Sequence, residues 1–477
     1  MIKKNREWAA SWRGIPLTAL SLLAVSGVAS AGSLRAGAAK VDITPLASEL
    51  AVPGDSIRDP LYVRAIFIDD GTTCGVLVGL DQGAARNEPV QDAVARASAE
   101  TKCPAENFLI SATHTHSGST GGLGGAGSPS AKKIADAIVA AIAQAKKAVQ
   151  PARVGYGTTT VDLNVNRDLY DNKQTWRQAP NKLGHSDKTL AVVAFIGNDY
   201  VPIGVYMNYA MHPVNFYLSG VISADFPGEA SRFVERSFAD KTVAIFSQGA
   251  SGNQNPRIRE STSLVSIRTG RGPVPETIGA PPPPPSKSIN PVTDMTAAAK
   301  NPVPAKDVAS YKAAIAHTGE WVIAQGTLIG VSAIDVMRNF RGTRDDARLW
   351  AAQEKFTCPG RIRKDAANPA RENVFPGYDD GEDVNLKVGL LRLGDINFVS
   401  VNGEVYSEIS QRLKDAAPAA KMMMVTLANG TANSGYIYSD DSYSHLTFQV
   451  IGSRLKPGCA ENRIIDTALQ LMQRSGE

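Results

Sequence analysis

The stretch "CGVLVGLDQGAARNEPVQDAVARASAETKCPAENFLISATHTHSG", Cys74 to Gly118, decides the class of the fold. It opens on a β-rich run, passes through "NEPVQDAVARASAETK", which reads as a helix, and closes on a second apolar run that ends in two histidines. Strand, helix, strand implies an α/β arrangement with a largely buried sheet. Upstream, "LRAGAAKVDITP" alternates apolar and polar residues up to Pro45, and "VRAIFIDDG" forms a hairpin with "CGVLVGLDQG" around Asp69-Asp70-Gly71. Downstream, "SAKKIADAIVAAIAQAKKAVQ", Ser130 to Gln150, places Ile134, Ile138, Val139, Ile142 and Ala145 at helical spacing and its lysines elsewhere. "ARVGYGTTTVDLN" follows as a strand, and "TLAVVAFIGNDYVPIGVYMNYAMHP" as a hairpin around Gly197-Asn198 whose second strand runs into His212. "DVASYKAAIAHTGEWVIAQGTLIG" reads as helix, and "NLKVGLLRLGDINFVSVNGEVYSEISQRLKDAA" as strand, strand, then helix from about Gly403. The expectation is a mixed, largely buried β-sheet core flanked by helices, with no internal repeat.

The 477 residues, 43% of them hydrophobic, suffice for a sizeable core. Residues 1–31 read as a secretory signal. Lys3, Lys4, Arg6 and Arg13 precede the apolar "IPLTALSLLAVSGVA", and Ala29-Ser30-Ala31 is a small-residue cleavage site. Removing those residues takes the formal net charge from +4 to about +1, so charge gives no support to nucleic-acid binding. Beyond the leader, charge, Pro or Gly breaks every apolar run well before spanning length. The expected location is periplasmic or secreted. There, Cys74, Cys103, Cys358 and Cys459 can form two disulfides, with Cys74 and Cys103, which flank two strands, as the first pair. Residues 263–306 shift to Pro, Ser, Thr and Ala, with a run Pro281 to Pro285. They read as an exposed insertion within one domain of residues 32–477.

In a strand, side chains at i and i+2 share a face, so His114-Thr115-His116 would aim two imidazoles at one place. That supplies one or two zinc ligands, and the glycines that follow let backbone approach a ligand closely. His212 lies at the end of another apolar strand, before Pro213. Glu404 follows "INFVSV" at what reads as the first turn of a helix, where the dipole favours a carboxylate. Together, His114, His212 and Glu404 make a two-histidine, one-carboxylate set that leaves a position open for water.

The stretches "GAAKVDITP", "NFLISATHTHSG", "PARVGYGTTTVDLNVNRD", "NYAMHPVNF", "ISADFPGEAS", "FSQGASGNQNP", "VNGEVYSEISQRL" and "LANGTANSGYIYSDDSY" resemble, in the same order, the catalytic domain of the neutral/alkaline (non-lysosomal) ceramidases. The resemblance spans about Ala36 to Tyr443. It implies one Zn2+ per chain held by His114, His212, Glu404 and Tyr436, with Tyr438 as the alternative tyrosine. It further implies that His116 faces the substrate or its water and that Arg167 holds the substrate's polar head. Asp225 is a candidate partner for a metal-bound histidine, or else a turn-forming or helix-capping aspartate. Two departures stand out. The family's QGDVSPN serine aligns with Gly252, with Ser251 one residue early; Ser251 is a catalytic candidate and Asn253 one beside the substrate, and the alternative is a loop that holds Asn253 and Asn255 for backbone hydrogen bonding. The β-sandwich that follows the catalytic domain in relatives is not expected, because 41 residues follow Tyr436.

The function implied is zinc-dependent hydrolysis of an N-acyl (sphingo)lipid to a fatty acid and an amine by zinc-activated water, with at most transient contact with a membrane surface. Two other readings stay open: a zinc esterase, lactonase or amidase acting on a smaller substrate, and a metal-containing lipid-binding protein without turnover.

Overall fold

A computed structural model describes residues 33–50, 52–119, 128–258, 261–268, 270, 272, 301–368 and 370–476. The leader, the centre of the Pro-rich insertion and the glycines at 121–127 lie outside the described residues. From Gly32 onward the chain forms one compact unit.

Eight strands form the principal sheet, in the order Val243–Gln248, Pro202–Tyr209, Thr189–Gly197, Gln150–Thr160, Arg35–Asp42, Tyr62–Asp69, Cys74–Leu80, Phe108–Ala112. Most neighbours are antiparallel, including both expected hairpins. The two outermost pairs are parallel, and each needs a crossover. Helix Asn87–Thr101 connects one pair, and helix Asp225–Ser237 the other.

The two halves of this sheet meet through only two residue pairs, Arg35 with Pro151 and Ala36 with Gln150. One half folds over the other, and their facing sides share a core of Ile66, Leu77, Val193, Phe195 and Ile245. Two glycines permit the close approach. A β-carbon at Gly79 would lie 2.7 Å from Ile245 Cγ2, and one at Gly204 would lie 2.8 Å from Ile66. Helices cover the outer sides. Asn87–Thr101 and Ala131–Lys147 bury Val90, Ala93, Ile138 and Ile142 on one half, while Asp225–Ser237 and Val308–Arg338 bury Phe226, Val234, Ile329 and Ala333 on the other. The layers therefore run helix, sheet, sheet, helix, and the alternation read from Cys74 to Gly118 generates one such half.

A second sheet, Leu349–Arg363, Tyr378–Leu393, Ile396–Val401 and Lys421–Val425, closes one side of that core with Leu391, Phe398 and Met423. Its opposite face packs under helices Ser407–Ala416 and Ala460–Arg474. Disulfides join Cys74 to Cys103 and Cys358 to Cys459, with Cα atoms 5.4 and 5.7 Å apart.

The structure corrects the insertion's boundary. Residues 263–268 belong to helix Ser261–Arg268, whose Leu264 and Ile267 pack on Phe216, Tyr311 and Val322. Leu264 and Ile267 sit three apart, the spacing of one helix face, a pattern hidden beside the proline-rich run. The helix read from Asp307 extends to Arg338. It is long and apolar enough to cross a membrane by length and composition, yet one stripe of it packs on helix Asp225–Ser237.

A buried charge cluster bridges the two halves. Arg64, on strand Tyr62–Asp69, donates to Asp81 at 2.7 Å and to Glu235 of the far half's helix at 3.0 Å; Lys40 reaches Glu235 from the surface at 2.6 Å. Arg64→Met, which leaves buried Asp81 without its cation and Glu235 with Lys40 alone, is expected to destabilise by about 3–5 kcal/mol, whereas Lys40→Met should cost less than ~1 kcal/mol. Urea unfolding of the two variants measures the contrast.

Candidate metal centre

Strand Phe108–Ala112 stops before the histidines. His114 has φ +64°, a left-handed conformation whose cost is about 1–3 kcal/mol for a residue with a β-carbon. The expectation that the strand pleat aligns His114 and His116 is therefore wrong, because a tight turn gathers them instead. His212 likewise lies three residues beyond its strand, which ends at Tyr209. Glu404 is not on a helix. It starts a two-residue strand, Glu404–Val405, paired in parallel with Tyr436–Ile437, and the helix begins at Ser407. In that register Glu404 lies opposite Tyr436.

These turns converge. Nε2 of His114 lies 3.2 Å from Nε2 of His212, and Oε2 of Glu404 is 3.3 Å from both. Ligands about 2.0–2.1 Å from a tetrahedral zinc stand about 3.3 Å from one another, so this triangle has the size of one face of a zinc site. His116 Nε2 is 3.3 Å from His114 Nε2, and the donor atoms of the three histidines all fall within 4.8 Å. The wider histidine triad is less regular than the triangle that includes Glu404. The donor chemistry favours the triangle, with His116 beside it.

The far nitrogens are held by backbone. His114 Nδ1 pairs with the Gly83 carbonyl at 2.5 Å and His212 Nδ1 with the Ser251 carbonyl at 2.8 Å. A carbonyl only accepts, so each Nδ1 carries the proton and each Nε2 turns its lone pair to the centre. Burial, then the positive field of Arg167, depresses His212 to about 3. His116 is also pushed well below its ordinary value, by burial first and then by the neighbouring histidines. Burial alone would raise Glu404, but the fields and hydrogen bonds of His114 and His212 outweigh it and hold the carboxyl well below its usual range. The depressed His212 and the ionised Glu404 are in the protonation states a divalent cation requires.

Tyr436 is within hydrogen-bonding reach of Glu404 and Arg167, and its ring centroid is 6.4 Å from that of His212. Burial and then the Glu404 charge raise its pKa. Tyr438 points elsewhere, donating to the Leu455 carbonyl at 2.8 Å beside Arg361. Arg167 is buried, 5.3 Å from the Tyr436 ring; its Nε and Nη2 donate to the Gly252 carbonyl at 3.2 and 2.6 Å. Asp225 is bonded to no histidine. It takes hydrogen bonds from the backbone and side chain of Asn215 at 2.8 and 2.6 Å, which fixes the turn after His212. The turn-forming alternative thus describes Asp225, because Pro213 supplies no N–H and the chain needs another anchor. Asn253 holds Glu408 and accepts from the Ser407 backbone, at the start of a helix.

Ser251 presents its carbonyl to His212, and position 252 has no room for a side chain. A β-carbon on Gly252 would lie 2.8 Å from the Val405 carbonyl oxygen and 2.9 Å from the Tyr406 ring. The sequence reading missed Gly83, which acts through its backbone, and Tyr217, whose ring meets His116 edge-on at 5.4 Å. The aromatic run "NFY" after His212 was the available signal for Tyr217.

Residues 36–268 match the family model described as neutral/alkaline non-lysosomal ceramidase, N-terminal. The neutral ceramidase of Pseudomonas aeruginosa is 28% identical over 284 residues, 53% of this chain but 40% of that protein's length. Among solved structures, neutral ceramidase from Pseudomonas aeruginosa superposes with a TM-score of 0.65 at 17% identity, covering 93% of this chain and 75% of the other; a structure titled as ceramidase complexed with C2 gives the same score and identity over 76% of its chain. At that identity the likeness establishes the fold, which extends past the family match to the segments carrying Glu404 and Tyr436. Over residues 36–268, the chain is thus similar to the N-terminal part of the neutral/alkaline non-lysosomal ceramidases.

Proposed function

We propose that this chain is an exported zinc-dependent hydrolase that cleaves the amide bond of an N-acyl lipid of the ceramide type. The observation that carries the reading is the convergence of His114 Nε2, His212 Nε2 and Glu404 Oε2 at 3.2–3.3 Å, with both far nitrogens anchored to carbonyls. His114, His212 and Glu404 would hold the ion, with Tyr436 as fourth ligand. When bound, zinc supplies a Lewis acid for the acyl oxygen and brings a water toward ionisation near neutral pH. Hydrolysis breaks the C–N bond, adds the water's hydroxyl to the acyl carbon and returns a proton to the amine. His116, depressed by burial and so neutral, hydrogen-bonds the reacting groups beside the centre. Arg167 braces the Gly252 carbonyl, and with it the loop whose Ser251 carbonyl orients His212, while its positive field faces the developing oxyanion.

Two paired disulfides support export to an oxidising compartment. A lipid source at a membrane surface is supported by the exposed Tyr170, at the end of strand Asn164–Tyr170, and by Val374 and Phe375 on a nearby loop. The crowding at Gly252 supports a reaction that uses no serine there. It also keeps the smaller-substrate reading in play, since this loop departs from relatives known as ceramidases.

Purified protein is expected to hold about one zinc per chain and to release fatty acid from a short-chain fluorescent ceramide, with His114→Ala losing both metal and activity. Zinc retained without ceramide cleavage would move the reading to smaller esters and amides. Ser251→Ala, assayed alongside, should keep its rate within about twofold. Gly252→Ser should lower the unfolding temperature, from a loss of about 1–3 kcal/mol by overpacking, and bring no gain in rate.

A further inference from the structure

Next to the metal centre lies a polar assembly that hydrolysis, as derived above, does not use. Asp168, which follows Arg167 in the chain, is only 2% exposed. Its Oδ2 accepts from the Tyr406 hydroxyl at 2.9 Å and from His445 Nδ1 at 3.2 Å. Its Oδ1 is buried and has no hydrogen-bond partner among the described residues. A carboxylate only accepts, so the missing partner is a donor.

His445 is the accessible member, with 25% of its side chain exposed. Its ring lies flat on Trp176, with centroids 3.9 Å apart and planes 24° apart, and its Nδ1 must carry the proton that it gives to Asp168. In the tautomer with the proton on Nδ1, Nε2 is an acceptor held in a fixed direction by the Trp176 stack. The assembly borders the centre. Phe448, three residues after His445, packs 5.7 Å from the Tyr436 ring, and the Arg167 guanidinium lies 5.3 Å from Tyr436 and 5.7 Å from Phe448.

The charges around it select a ligand class. Burial, then the like charge of Asp168, acts against hydrogen bonds to raise Glu372, and Glu408 also feels the Asp168 charge. The neighbouring cation, Arg167, is committed to the Gly252 carbonyl and to Asn255. Three carboxylates around one engaged guanidinium disfavour a fatty-acid carboxylate and favour O–H or N–H donors.

We propose that Asp168 and His445 form a subsite for the amine half of the substrate, an amine bearing hydroxyl groups. Asp168 Oδ1 takes one ligand donor and His445 Nε2 another, with Trp176 fixing the ring plane. The assignment of this ligand to the amine half rests on the amide-hydrolase reading; the subsite itself does not.

Two measurements test it. Calorimetric titration with a soluble short-chain 2-amino-1,3-diol needs no turnover. Wild type should bind it, and His445→Ala and Asp168→Asn should weaken binding tenfold or more while zinc content and unfolding temperature hold for His445→Ala. Absence of binding, or binding indifferent to His445→Ala, overturns the subsite. Kinetics then compare an N-acyl aminodiol with the N-acyl amide of a plain alkylamine. His445→Ala should raise KM for the former about tenfold, leave the latter unchanged, and be partly rescued by His445→Gln; equal losses on both amides would make His445 merely structural. A wild type inactive on both amides but binding the aminodiol through His445 refutes the amide-hydrolase reading and keeps the subsite.

Discussion

The buried bridge from Arg64 to Asp81 and Glu235 is the interaction on which the centre depends. The four strands whose C-terminal ends lead to the site, Cys74–Leu80, Phe108–Ala112, Pro202–Tyr209 and Val243–Gln248, lie in opposite halves of a folded sheet. Hydrophobic burial between the halves is non-directional and would tolerate sliding. A guanidinium that must meet two carboxylates, one from each half, fixes the register. Asp81 also accepts from the Tyr62 backbone and stands two residues before Gly83, whose carbonyl orients His114. Alignment of the halves and aim of the first histidine thus share one anchor.

At the centre itself, backbone rather than side chains does most of the orienting. Carbonyls of Gly83 and Ser251 set the two tautomers, and the carbonyl of Gly252 engages the arginine. This shifts the burden of precision onto loop conformation. It accounts for His114 in a left-handed turn and for Asp225, itself at φ +54°, bracing Asn215 just past His212. Such loops can differ in side chains and still present the same ligands, provided their carbonyls stay in place. It is consistent with fold-level likeness to Pseudomonas ceramidase surviving at 17% identity.

That division explains what the sequence revealed. The layered class, the hairpins and the helix from Ser130 were legible because apolar periodicity is a statement about burial, and burial built those elements. Residue types at the centre were legible as a set: His114 and His212 are two of six histidines and end apolar runs, while Glu404 joined them only in combination and through the family resemblance. Their local conformation was not. A strand that stops at Ala112 and one that continues through His116 share the same alternation, and the tertiary bond from the His116 backbone to the Pro213 carbonyl decides between them. Glu404 sits on a two-residue strand whose partner strand begins at Tyr436, 32 positions away, beyond the reach of any local pattern. Asp225 illustrates the converse: the right neighbourhood was identified, but its carboxylate is taken up by the Asn215 backbone and side chain rather than by a histidine.

Gly252 shows how the same geometry limits chemistry. Its amide donates to the Val405 carbonyl at 2.7 Å, so the loop runs hard against the strand that carries Glu404. A serine there would press on that strand and move the carboxylate relative to both histidines, whose mutual spacing leaves little slack for a single ion. The absence of a side chain at 252 therefore lets the strand carrying Glu404 stay where His114 and His212 meet it. In this chain a side chain at 252 and the strand Glu404–Val405 would share one space, and backbone fills it.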